Sequence, residues 1–314
     1  MSQVNMILDV DTGIDDSIAL LLALKSEDVR LLGITTVFGN VSVEQATENT
    51  LQVANLAGRS DVPVLMGADR PLLGEWDGPV VHIHGPNGVG GYSFPATDRK
   101  PGKERAADFI VRTVNEHPHE LTLVFVGRLT NLAHALAKDP GIASRVKRLV
   151  LMGGALRAPG NVTPVSEANI WGDPEAARRV FESGMPITMV GLDVTMAVKL
   201  NESHIERVVR EMAPGGERQA AFIEHILRFY FSAYERENGI YGSPAHDPLA
   251  VAVAIDPSFV ETEEHDIRIE TKGTVSYGAT LSDMRGTPKR TNASVCVAVD
   301  TERFTEYLLR VLCR

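Results

Sequence analysis

Apolar residues along the chain gather into two kinds of run, and the two kinds alternate. Short stretches rich in Val, Ile and Leu at 4–10, 31–37, 62–66, 121–126, 148–152 and 187–192 are almost continuously apolar. That pattern predicts strands buried on both faces rather than strands with one wet side. Between them, segments 15–25, 43–58, 103–117, 130–138 and 174–183 carry apolar residues at helical spacing. The alternation predicts an α/β fold with a mainly parallel, doubly wound open sheet. After residue 193 the rhythm lengthens, with helices expected at 202–210, 217–236 and from Pro248, then a closing strand at 294–299 and a helix at 301–312. No Pro/Ser-rich linker, low-complexity tract or internal repeat interrupts it. A single domain over 1–314 with extra C-terminal helices is expected.

Polar residues fall where such a sheet places its ligands, beyond the carboxyl ends of the strands. The first strand runs into Asp9, Asp11, Asp15 and Asp16, and the second into Asn40. The strand ending at Val126 leads into Gly127-Arg-Leu-Thr-Asn131. Met152-Gly-Gly154 opens a polar loop carrying Asn161, Glu167 and Asn169, and the sixth strand is followed by Asp193. Five strands therefore deliver acids and amides to one edge.

Composition narrows the partners. Charged residues make up 23 % of the 314-residue chain, hydrophobic residues 44 %, and the formal net charge is -10. A field of that sign argues against nucleic acid or an anionic membrane as partner. Two cysteines, Cys296 and Cys313, are too few for a disulfide framework. No targeting pattern or membrane-length apolar run is visible, so a cytoplasmic protein is expected.

Four carboxylates within eight residues repel one another unless a cation lies among them. Helix capping accounts for Asp15 and Asp16 but leaves Asp9 and Asp11 unexplained. Oxygen-only ligands point to a hard ion, Ca²⁺ or Mg²⁺. Asp9-Val-Asp-Thr12 also resembles the opening of Mg²⁺-dependent haloacid-dehalogenase-like phosphohydrolases, although amides stand where those enzymes need a Lys and further acids. In His246-Asp-Pro248, Asp247 reads as an N-cap with Pro248 at the first helical position, and His246 as a proton donor if a metal site lies near. His82-Ile-His84 and the glycines that follow suit a hinged loop over a site better than a zinc or dinucleotide motif. The segment Phe229-Tyr-Phe-Ser-Ala-Tyr234 reads as a core helix face, with Tyr234 or Tyr241 free to stack on a flat ligand.

With these blocks in order, the chain resembles the inosine-uridine-preferring nucleoside hydrolases. The resemblance rests on Asp9-Val-Asp-Thr-Gly-Ile-Asp-Asp16, Thr35-Thr-Val-Phe-Gly-Asn-Val-Ser42, His84-Gly-Pro-Asn-Gly88, Met152-Gly-Gly-Ala155 through Asn161 to Ser166-Glu-Ala-Asn-Ile170, Asp173-Pro-Glu-Ala-Ala177 and His246-Asp-Pro-Leu-Ala250. It implies Ca²⁺-dependent hydrolysis of ribonucleosides, purine or pyrimidine, to ribose and free base, in nucleoside salvage or catabolism. It implies a Ca²⁺ held by Asp11, Asp16, the Val126 carbonyl and Asp247. Asp11 would be the base that activates water, with Asn40 beside it, and His246 the acid. Asp15 and Asn169 would hold the ribose 2′- and 3′-hydroxyls, Asn161 and Glu167 the 5′-hydroxyl, with His84 on a closing loop and Asp9 bracing from behind. A homodimer or homotetramer is implied too. Non-catalytic nucleoside binding on the same scaffold is the alternative. Three residues depart from the family pattern: Arg128 where Pro is usual, Ala168 in place of Phe, and Trp171 before Gly172.

Overall fold

The computed structural model describes residues 3–95, 97–286 and 290–314. Its centre is an eight-stranded sheet. The first six strands are β1 (Val4–Val10), β2 (Val29–Thr36), β3 (Val64–Met66), β4 (Leu121–Phe125), β5 (Arg148–Met152) and β6 (Ile187–Val190). They lie in the order β3-β2-β1-β4-β5-β6, followed by Ala293–Val299 and then Val260–His265. All neighbours are parallel except the last pair. This is the α/β architecture that the alternating runs predict.

Side chains along each strand divide between two cores, as a period of two requires. Met6, Leu8, Val124, Val126, Val150 and Met152 join one hydrophobic cluster; Ile7, Leu123, Phe125, Leu149 and Leu151 join the other. The first cluster is covered by α1 (Ile14–Lys25), α2 (Val43–Leu56) and the C-terminal helices Glu217–Asn238, His246–Ile255 and Thr301–Leu312. The second is covered by Ala106–Glu116, Thr130–Lys138 and Pro174–Phe181. Burial on both faces is why the strand sequences lack polar alternation. No helix among the described residues is long and apolar enough to cross a membrane.

Beyond shifts of a few residues at element ends, two differences from the expected elements matter. The helix expected from Pro248 begins at His246, with Ala245 as its N-cap, so Asp247 lies in the first turn and caps nothing. The short pairing of Ser243–Pro244 with Lys199–Leu200, and the Ala245 N–H bond to the Val198 carbonyl, hold the chain extended only as far as Ala245. Pro248 still fits, because the first turn has no intrahelical use for its missing N–H. The edge strand Val260–His265 was not expected. Its residues Glu261 to Glu264 are exposed, so no apolar alternation marks it.

Candidate active site

The order of the sheet reverses between β1 and β4, and open α/β sheets bind ligands at such a switch point. Beyond these two strand ends lie Asp11 and Val126. The chain leaving β1 enters α1 almost at once, carrying Asp15 and Asp16 in its first turn. The start of His246–Ile255 brings Asp247 to the same place. Asp15, Asp16 and Asp247 each offer a carboxylate oxygen within 4.8 Å of the others, and all three are buried.

Hydrogen bonds fix how these acids point. Asp16 accepts from the Asp11 N–H at 3.1 Å, the Gly13 N–H at 2.9 Å and Asn40 Nδ2 at 3.0 Å. It therefore does cap α1 while facing the cluster, so the capping and cluster roles coexist in one residue. Asp11 Oδ2 accepts from the Asn40 N–H at 2.7 Å and is ion-paired with the Arg128 guanidinium. Asp11 Oδ1 and Asp15 Oδ1 are buried and have no hydrogen-bond partner among the described residues. Asp9 stands behind, fully buried, with Oδ2 accepting from Thr35 Oγ1 at 2.5 Å and Asn131 Nδ2 at 2.7 Å.

Burial is the first cause of raised carboxyl pKa values here, and mutual repulsion adds to it. Asp15 is pushed up to about 7 by desolvation and then by the Asp11 charge. Asp16 and Asp247 are held well above the usual range by desolvation, then by their acidic neighbours. Asp9 rises to about 8, desolvation outweighing its two hydrogen bonds. Such a set favours the ionised form only with positive charge among it. Orphaned carboxylate oxygens, an all-oxygen donor set and like-charge repulsion together fit a hard divalent cation. The cluster could hold a metal ion.

The amides sit around this centre. Asn169 Nδ2 donates to the Val126 carbonyl at 2.7 Å and the Met152 carbonyl at 3.1 Å. The Val126 oxygen keeps a second lone pair for another partner. Glu167 is the N-cap of Ala168–Gly172, its carboxylate accepting from Asn169 N, Ile170 N and Gly154 N. Asn161 is exposed, and its Oδ1 accepts from the Ala168 N–H at 3.0 Å. Ala168 and Trp171 thus both lie on the short helix that Glu167 caps.

Histidine and tyrosine form the opposite wall. His84 ends the short helix Val81–His84; its Nδ1 accepts from the Ile14 N–H at 3.1 Å and lies 4.0 Å from Asp15 Oδ1. Its ring stacks on Tyr230 at 5.6 Å, and Tyr230 meets Tyr234 edge-on at 4.9 Å. Tyr234 Oη lies 3.2 Å from His246 Nε2. Tyr241 is elsewhere, edge-on to Phe231 and 3.4 Å from Glu202, so of these two tyrosines it is Tyr234 that lies beside His246. Desolvation lowers His84 to about 3 and His246 to about 4, so both rings are neutral near pH 7.

Two further neighbours support these groups. Thr195 Oγ1 lies 2.7 Å from His246 Nδ1, buried, with no other hydrogen-bond partner among the described residues. Were Nδ1–H the donor, the hydroxyl proton would be buried without an acceptor. Donation by Thr195 satisfies both groups and leaves the ring proton on Nε2. Asp193 was noted only as a strand-end acid. Its carboxylate accepts the N–H groups of Leu156, Arg157 and Ala158, anchoring the loop that leads to Asn161.

Buried acids at the switch point, with neutral histidines and amides around them, fit a hydrolytic site, and similarity supplies its class. The chain belongs to the inosine-uridine preferring nucleoside hydrolase family, whose profile matches residues 6–306. It is 42% identical over 302 residues to the inosine-uridine preferring nucleoside hydrolase of Leishmania major, covering 95% of this chain and 94% of that one. Uridine nucleosidase 1 of Arabidopsis thaliana is 39% identical over 313 residues, covering 96% and 91%. The structure of the purine-preferring ribonucleoside hydrolase from Gardnerella vaginalis matches with a TM-score of 0.93 at 37% identity, covering 98% of both chains. The protein is therefore an enzyme acting on N-glycosyl bonds. The phosphohydrolase and binding-only readings have no support beside that.

Proposed function

We propose that this enzyme hydrolyses ribonucleosides, purine or pyrimidine, to ribose and free base in a Ca²⁺-dependent reaction serving nucleoside salvage or catabolism. The observation that carries the reading is the presence of orphaned oxygens on Asp11 and Asp15 in a buried acid cluster that includes Asp247, the chain neighbour of a His246 whose Nε2 bears the ring proton. Asp11, Asp16, the Val126 carbonyl and Asp247 would hold the ion. Bound there, Ca²⁺ would position water and ribose hydroxyls, lowering the water pKa less than zinc does.

The chain's own groups account for the proton movements. Asp11 Oδ1 takes a proton from the attacking water, with Asn40 holding the opposite oxygen in place. Oxygen bonds to the anomeric carbon as the C–N bond breaks, and the electron pair leaves with the base. His246 Nε2–H donates a hydrogen bond to the departing base, offsetting the negative charge that develops there, and the proton taken by Asp11 returns to the base through solvent. Positive charge building on the ribosyl ring is stabilised by the carboxylates around it. Asp15 and Asn169 bind the 2′- and 3′-hydroxyls, Asn161 and Glu167 the 5′-hydroxyl, and His84 with Tyr234 walls the base side. A cytoplasmic homodimer or homotetramer, without nucleic-acid or membrane partners, is the setting we propose.

A panel of purine and pyrimidine nucleosides scored for free base tests this, with inosine and uridine first because similar chains carry those names. Release with Ca²⁺ that stops with chelator supports the reading. No release from any member with Ca²⁺ present defeats it.

A further inference from the structure

Arg128 follows β4 by three residues, yet its side chain does not leave the site for solvent. It is only 5% exposed. Its guanidinium pairs with Asp11 Oδ2, beside the Asn40 N–H on the same oxygen. The path it takes is built from two missing side chains. A Cβ on Gly39 would overlap Nη1 and the Asp11 carboxylate, and a Cβ on Gly172 would lie 2.6 Å from Nε and 2.9 Å from Cγ. Arg128 Nε is itself buried with no partner among the described residues. The guanidinium is therefore held in a slot against the acid cluster, and its charge also reaches Glu167 and His84.

We infer that Arg128 is a counter-ion built into the cluster, competing with the divalent cation for Asp11 and so weakening the cation's hold. The inference rests on the metal-dependent reading above. Two effects act in the same direction. Like charges in a dry site repel strongly. In the metal-free protein, moreover, the arginine spares Asp11 from being a buried, unpaired carboxylate. Arg128 acts through Asp11, as a positioning residue that holds Oδ2 and leaves Oδ1 without a partner among the described residues.

Replacing the charge should therefore tighten metal binding, the opposite of what damage to the site would do. Calorimetric titration of chelator-stripped protein with Ca²⁺ should show Arg128→Met binding at least about tenfold tighter than wild type. Its melting temperature should fall in chelator more than with Ca²⁺. Arg128→Lys keeps the charge and should bind within about threefold of wild type, separating charge from shape. Equal or weaker affinity of Arg128→Met, in forms that all bind, overturns the role of Arg128 alone. If no form binds Ca²⁺, the calcium reading and the competition fall together.

Discussion

Thr195 Oγ1 lies 2.7 Å from Nδ1 of His246, across 51 residues of sequence, and decides which nitrogen of that ring carries the proton. The contact exists because Leu192–Thr195 turns directly off β6 while His246–Ile255 starts beside it. Neutral His246, with burial lowering its pKa to about 4, can donate only from the nitrogen that Thr195 leaves protonated.

Thr195→Val should therefore slow cleavage of inosine or uridine by up to about 10²-fold, the lower end of what general acid catalysis contributes. p-Nitrophenyl riboside, whose leaving group needs no proton, should be spared, and Thr195→Ser should restore the natural substrates. Equal losses on both substrate types would mean that Thr195 only supports the fold. Nitrogen chemical shifts of the His246 ring report the tautomer directly.

Asp9 should tolerate loss of its charge but not of its acceptor oxygen. Its carboxyl is raised to about 8 by burial, so it is largely protonated at pH 7. Asp9→Asn should cost less than ~1 kcal/mol in denaturant unfolding. Asp9→Leu strands the Thr35 hydroxyl and one N–H of the Asn131 amide, whose bond to the Thr36 carbonyl remains, about 1–3 kcal/mol for each buried donor left unpaired. Comparable destabilisation by both variants would show that Asp9 is ionised.

Stability of the metal-free enzyme should depend on pH with a definite sign. A carboxyl whose folded pKa is raised holds its proton more tightly when folded, so stability falls as pH rises from the unfolded value to the folded one. For Asp9 and Asp15 that window runs from 3.8 to about 8 and about 7 respectively. His84 and His246 act oppositely: lowered to about 3 and about 4, they cost stability as pH falls below 6.5. Between pH 8 and 6.5 the carboxyls act alone. Melting temperature in chelator should rise across that interval, and Ca²⁺ should flatten the rise. A chelated protein that melts lower at pH 6.5 than at pH 8 contradicts the assignment.

How much of this was legible in the sequence depends on whether the signal was local. β1, β5, Thr130–Lys138 and Thr301–Leu312 have the bounds that the apolar runs predict, because burial on both faces writes itself into each segment. Asp11, Asp15, Asp16 and Asn40 could be expected together because each follows a strand on the same edge, whereas Asp247 joined them only through the family resemblance. Thr195 and the slot around Arg128 are different. Each is a contact between distant segments, and neither Thr195 beside a histidine nor glycines at 39 and 172 has a spacing to read. Edge strand Val260–His265 was hidden by its own acids, which keep an exposed edge from pairing with other chains.

The central claim is that the acid cluster works by holding a cation next to Asp11. Chelator-stripped enzyme titrated with Ca²⁺, with ribose release from inosine followed at each addition, tests it most directly. No release is expected before Ca²⁺, with recovery that saturates and no recovery in Asp11→Asn at any Ca²⁺ concentration. Full activity in the stripped enzyme, or an active Asp11→Asn, would contradict it.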